Sequence, residues 1–100
     1  MRYDLECRYD TRQSFYGKAK VESIKNSIEK VQTLYSYGTE VASIATNFET
    51  MKRKYIYEGQ FSCTTTRHQK EFFKQNGLSD KQIKELFKNG ILEVILWKKN

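Results

Sequence analysis

One hundred residues, 38% apolar and 30% charged, make a single domain with its own core. Seven Tyr, six Phe and one Trp argue against a disordered chain. No apolar run approaches the roughly 18–20 residues that span a bilayer, and Met1–Cys7 lacks the apolar stretch of a signal peptide, so a cytoplasmic protein with no membrane partner is expected. The formal net charge is +6, and all of it belongs to residues 51–100, with eleven Lys/Arg against five Asp/Glu there and seven against seven in residues 1–50. Such asymmetry points to an anionic partner, nucleic acid first, although a charge of this size also serves solubility.

Residues 1–63 read as strands. Ser14–Ile24 alternates, with Phe15, Ala19 and Val21 on one side and Tyr16, Lys18, Lys20, Glu22 and Ile24 on the other. Polar Lys25–Lys30 forms a turn, and Val31–Tyr37 returns as a second strand rich in β-branched and aromatic residues. Gly38 interrupts as a bulge or tight turn, Glu40–Thr46 is a third strand, Asn47–Thr50 turns, and Lys52–Glu58 is a fourth.

The period then changes. Thr64–Asn76 is predicted as a helix, capped by the hydroxyl of Thr64 or Thr65 and followed by Gly77 at the position that favours left-handed backbone. Ser79 and Gln82 form a capping box that opens a second helix, Asp80–Asn89, which Gly90 stops. Ile91–Trp97 is apolar and β-rich and is read as a strand rejoining the sheet, with helical continuation as its competitor. The expected fold is α+β: an antiparallel sheet of about four to five strands, with two consecutive helices over residues 64–89 packed on one face.

Catalytic signatures are missing from the chain. It holds no P-loop, dinucleotide fingerprint, His-Glu-x-x-His or Gly-x-Ser-x-Gly, so no enzyme activity, cofactor or metal is expected. Cys7 and Cys63 are too few for a disulfide framework, and a zinc site would need His68 and a carboxylate beside them. His68 borders the apolar face of the first helix, four residues before Phe72, and reads as a partly buried histidine bonded to a neighbour. A Cys–His nucleophile is the competing reading.

Two basic stripes carry the binding expectation. At helical spacing Arg67, Lys70 and Lys74 fall on one face of the first helix, and Lys81, Lys84 and Lys88 on one face of the second. If both stripes look the same way, six cations line a nucleic-acid-binding surface, and Lys52-Arg53-Lys54 could extend it; otherwise each is the solvated side of an amphipathic helix. A helix-turn-helix over Glu71–Asn89, reading bases with Lys81, Gln82 and Lys84, is a further alternative, though no third helix leads it. Tyr35, Tyr37, Tyr55 and Tyr57 could stack bases if exposed, but read better as the sheet face beneath the helices.

Three blocks carry a resemblance: Tyr9–Ala19, Leu34–Ala42 and Ser62–Gly77. In that order they resemble a family of small uncharacterised proteins, a domain of unknown function, encoded by phages, plasmids and other mobile elements of Gram-positive bacteria. The resemblance implies a bacterial host, a setting rather than a reaction, and offers no catalytic residues to carry over. It also implies that Ser36, Thr39, Thr65, Arg67 and His68 belong to a shared pattern. The expected function is a non-enzymatic accessory protein that binds nucleic acid or a host nucleoprotein. The alternative is an inhibitor directed at a host protein, CRISPR effectors and other defence factors among its targets.

Overall fold

The computed structural model describes residues 1–59 and 61–96. These form β1 (Arg2–Asp4), β2 (Ala19–Lys25), β3 (Glu29–Ser36), β4 (Thr39–Asn47), β5 (Lys52–Tyr57), α1 (Cys63–Gln75), α2 (Asp80–Asn89) and β6 (Ile91–Ile95). The fold is α+β, as expected, with one more strand than the upper expectation. The strands pair antiparallel in sequence order, and both helices are inserted between the neighbours β5 and β6.

Local chemistry sets the turns. Tyr37 and Gly38 join β3 to β4 with φ of 52° and 82°, the two left-handed residues of a tight hairpin, and Ser36 pairs with Thr39 across it. Asn26 Oδ1 accepts from the N–H groups of Ile28 and Glu29 in the β2–β3 turn. Asn47 Oδ1 does the same for Glu49 and Thr50 after β4.

The strand expected from Ser14 begins only at Ala19. Tyr16 and Gly17, with φ of 52° and 71°, turn the chain, and Lys18 N–H closes that turn on Phe15 O at 2.9 Å. Phe15 therefore plugs the core from a loop rather than from a strand. The one added strand, β1, is only three residues long, too short to show a period.

One face of the sheet is dry. Val21, Leu34, Ile44 and Tyr55 point toward the helices, and a register shift at Leu34/Tyr35 lets consecutive Val41 and Ala42 both be buried. α1 lies over β3 and β4, and α2 over β5 and β6. From α1 come Phe72 and Phe73, from α2 Ile83 and Leu86; each such burial stabilises by roughly 1.5–3 kcal/mol. Phe87 stacks on Tyr57 at 4.2 Å between centroids.

Helix ends follow the sequence with one correction. Ser62, not Thr64 or Thr65, caps α1, because the Thr65 hydroxyl is buried against Ser36 Oγ at 2.9 Å. Gly77 (φ 94°) and Leu78 return hydrogen bonds to Lys74 O and Phe73 O and close the helix. The Ser79/Gln82 capping box is formed, and Gly90 ends α2 in the left-handed region. β6 is a strand, as expected; Trp97, the end of the predicted segment, lies outside the described residues. No helix of the described residues is long and apolar enough to cross a membrane.

Candidate nucleic-acid interface

Both helices sit on the same face of the sheet, so their sheet-averted sides form one outer layer. Arg67, Lys70, Lys81, Lys84 and Lys88 are exposed on it, and Lys74 is half-buried. Two of the six cations have acidic neighbours. Arg67 Nη1 lies 3.2 Å from Asp10 Oδ1, and Lys74 Nζ lies 3.1 Å from Asp80 Oδ1 at the start of α2. Glu85 is exposed among the α2 lysines. Lys70, Lys81, Lys84 and Lys88 have no acidic partner within 4.0 Å among the described residues.

The proposed extension through Lys52-Arg53-Lys54 is not made. Strand alternation turns Lys52 and Lys54 to the opposite, uncovered face of the sheet. Arg53 goes under the helices, where Nε donates to Thr46 Oγ1 at 3.0 Å and Nη1 to Asn76 O at 3.1 Å. With the Tyr55 hydroxyl, which donates to the same carbonyl at 2.6 Å, it satisfies the C-terminus of α1. The four tyrosines divide: Tyr55 and Tyr57 lie beneath the helices, Tyr35 packs under the Arg2 guanidinium, and Tyr37 is exposed in its turn. The helix-turn-helix alternative finds both helices laid on a sheet, with no third helix among the described residues.

The loop between β1 and β2 adds a second wall beside α1. Glu71 of α1 is 2% exposed, and its Oε1 accepts from the N–H groups of Arg8, Tyr9 and Asp10 at 2.9, 2.7 and 2.9 Å. Its Oε2 accepts from Gln75 Nε2 at 2.7 Å. Three successive backbone donors on one carboxylate pin this loop to the helix. Asp10 then meets Arg67. Two clefts open along the join. One, of about 470 Å³, is lined by Phe61, Cys63, Thr66, Arg67 and Lys70 opposite Asp10 and Thr11. The other, of about 90 Å³, runs past Tyr9, Asp10, Arg67, Lys70, Glu71 and Lys74. They share Asp10, Arg67 and Lys70 and form one basic groove along α1.

Sequence reasoning missed Tyr9, Asp10 and Phe61 as groove residues. The contacts that bring Arg8–Asp10 to Glu71 span 61–63 residues, and no local period reports them.

His68 is buried against the sheet. Its Nδ1 hydrogen-bonds Ser36 Oγ at 2.8 Å, and Phe15 packs edge-on to its ring at 4.5 Å. Burial foremost, then the Arg12 guanidinium, pushes its pKa down from the ordinary 6.5, against Asp10, so the ring is neutral near pH 7. Ser36, Thr65 and His68 of the shared pattern thus meet in one buried polar cluster joining α1 to β3. Cys63 opens on the larger groove cleft and Cys7 on a cleft beside Phe15; His68 lines neither. Burial, then Asp10 and Glu71, pushes the Cys7 thiol pKa up, with Arg12 opposing. Among the described residues, no group of three or more His, Cys, Asp or Glu is placed to hold a metal ion.

A family model described as a family of unknown function (DUF8033) matches residues 3–89. The chain belongs to this family. The match runs from Tyr3 in β1 through α2, including the loop, α1 and every stripe residue. No curated protein and no solved structure matches the chain.

Proposed function

We propose that this protein is a non-enzymatic accessory protein of a phage or other mobile element that binds nucleic acid or a nucleoprotein through its helical layer. The observation that supports this reading is the shared orientation of the two basic stripes. Arg67, Lys70 and Lys74 on α1 and Lys81, Lys84 and Lys88 on α2 lie on the sides of the helices turned away from the one sheet face that both helices cover. Six cations on one layer attract a polyanion, and releasing its counterions makes the affinity fall steeply with salt. The mobile-element setting rests on the resemblance of the three sequence blocks.

Fluorescence anisotropy of labelled DNA and RNA across a salt series tests the reading. If all six cations meet phosphates of a single strand, log K falls with log salt at a slope of about −4. No binding of either at low salt overturns it.

A second reading, an inhibitor directed at a host protein such as a CRISPR effector or another defence factor, is favoured by the other side of the molecule. The uncovered sheet face carries the cross-strand row Ile24, Val31 and Ala45, with Ile24 exposed, and exposed Ile91 and Ile95 on β6. Exposed apolar surface of this kind suits a protein partner. A pull-down from nuclease-treated Gram-positive lysate separates the two: one protein retained after nuclease supports this reading, and loss of all partners supports the first.

A further inference from the structure

We propose that the groove along α1 takes single-stranded nucleic acid in preference to a duplex, with Tyr9 and Phe61 as base-stacking platforms. This rests on the nucleic-acid reading above and narrows it. Arg67 and Lys74 are seven residues apart, about 10 Å along the helix axis at 1.5 Å per residue, with Lys70 between them. Beside this row each cleft contributes an aromatic ring, Phe61 in one and Tyr9 in the other.

Both rings are open to a ligand: Tyr9 is 60% exposed and Phe61 43%. Tyr9 is also held in place, because its backbone N–H is bonded to buried Glu71 at 2.7 Å. An exposed ring on an anchored backbone loses little freedom when a base stacks on it. A duplex keeps its bases stacked on one another and offers this surface only phosphates. A single strand offers both, and a basic groove with aromatic rings along it is what sequence-tolerant single-strand binders use. Asp10 pairs with Arg67 in the middle of the groove, so the phosphate beside it leans on Lys70, which has no acidic partner within 4.0 Å among the described residues.

The test uses the full chain with a labelled oligothymidine, an oligouridine and a DNA hairpin of equal length at one low salt concentration. A single strand should bind at least about tenfold tighter than the hairpin. Tyr9→Ala and Phe61→Ala should each weaken single-strand binding by about tenfold, the size of one lost stacking contact, and leave the hairpin unchanged. Tyr9→Phe should keep the wild-type affinity. Circular dichroism melts confirm that each variant is folded. Equal affinity for hairpin and single strand overturns the proposal, as does single-strand binding that ignores both aromatic substitutions. In those cases a loss on Lys70→Ala with all probes leaves the broader reading standing. If no probe binds, the broader reading fails, and this one with it.

Discussion

Removing the Glu71 carboxylate strikes the point where fold and groove meet. Four donors converge on it: the N–H groups of Arg8, Tyr9 and Asp10, and Gln75 Nε2. Each hydrogen bond to a charged group is worth about 1.5–3 kcal/mol net, but the four do not add. In Glu71→Ala the loop can peel away and give its three N–H groups back to water, at the cost of its docking. The expected loss is therefore about 3–5 kcal/mol, the range for breaking one side of a buried charged network. Against a total stability of about 5–15 kcal/mol this is severe, and at 4–8 °C per kcal/mol it lowers the Tm by roughly 12 °C or more. Glu71→Gln keeps one oxygen for the loop but turns an amide N–H toward Gln75 Nε2, so about half the loss is expected. Urea unfolding followed by circular dichroism gives the free energy. Trypsin cleavage after Arg8 and Arg12, both in the pinned loop, reports its release independently. Glu71→Ala with under about 1 kcal/mol of loss and unchanged cleavage at those sites would refute the reasoning.

His68 makes stability depend on pH. Its folded pKa lies below 6.5, so between the two values the unfolded chain binds a proton that the folded chain refuses. Its contribution is complete above about pH 6.5 and is lost as pH falls through the folded value. His68→Gln should flatten the fall in Tm between about pH 7.5 and about pH 5, and an unchanged slope contradicts this assignment. The cysteines should differ in reactivity: iodoacetamide should modify exposed Cys63 well before Cys7, whose thiol is shielded and shifted upward. Mass spectrometry of a time course with equal rates at both would contradict that. Combined Lys70→Ala, Lys84→Ala and Lys88→Ala should shift stability by no more than about 0.5 kcal/mol per site, because all three are exposed and unpaired among the described residues. The same protein should lose nucleic-acid affinity and flatten its salt dependence, and retained affinity in anisotropy would return these lysines to plain solvated surface.

What the sequence disclosed was local. The capping box at Ser79 and Gln82, Gly77, Gly90 and the interruption at Gly38 are each decided by one or two residues, and each was legible, although Gly38 alone left a bulge and a tight turn both open. So was the amphipathicity that put Phe72, Phe73, Ile83 and Leu86 inward and the lysines outward. The misreadings arose where a local pattern met a distant partner. Thr65 suits a cap, but Ser36, 29 residues away, takes its hydroxyl. Alternation from Ser14 to Ile24 looks unbroken, yet Tyr16 and Gly17 adopt a turn that drives Phe15 against His68. Lys52-Arg53-Lys54 is one basic run in the sequence and two opposite faces in the sheet.

An amphipathic helix lying on a sheet presents a convex ridge, and cations along a ridge meet a phosphate backbone from one side only. The β1–β2 loop changes that geometry by standing beside the ridge and supplying Tyr9. It stays there because Glu71 faces neither water nor the apolar core but three backbone N–H groups of the loop. α1 therefore has three sides with separate tasks. Thr65, His68, Gln69 and Phe72 hold the sheet, Arg67, Lys70 and Lys74 face the groove, and Glu71 makes the groove's other wall. The groove's depth is consequently a tertiary property, and the same three cations without the loop would amount to no more than a charged surface. It follows that Glu71→Gln, which alters no cation of either stripe, should weaken single-strand binding more than hairpin binding under conditions where the protein remains folded.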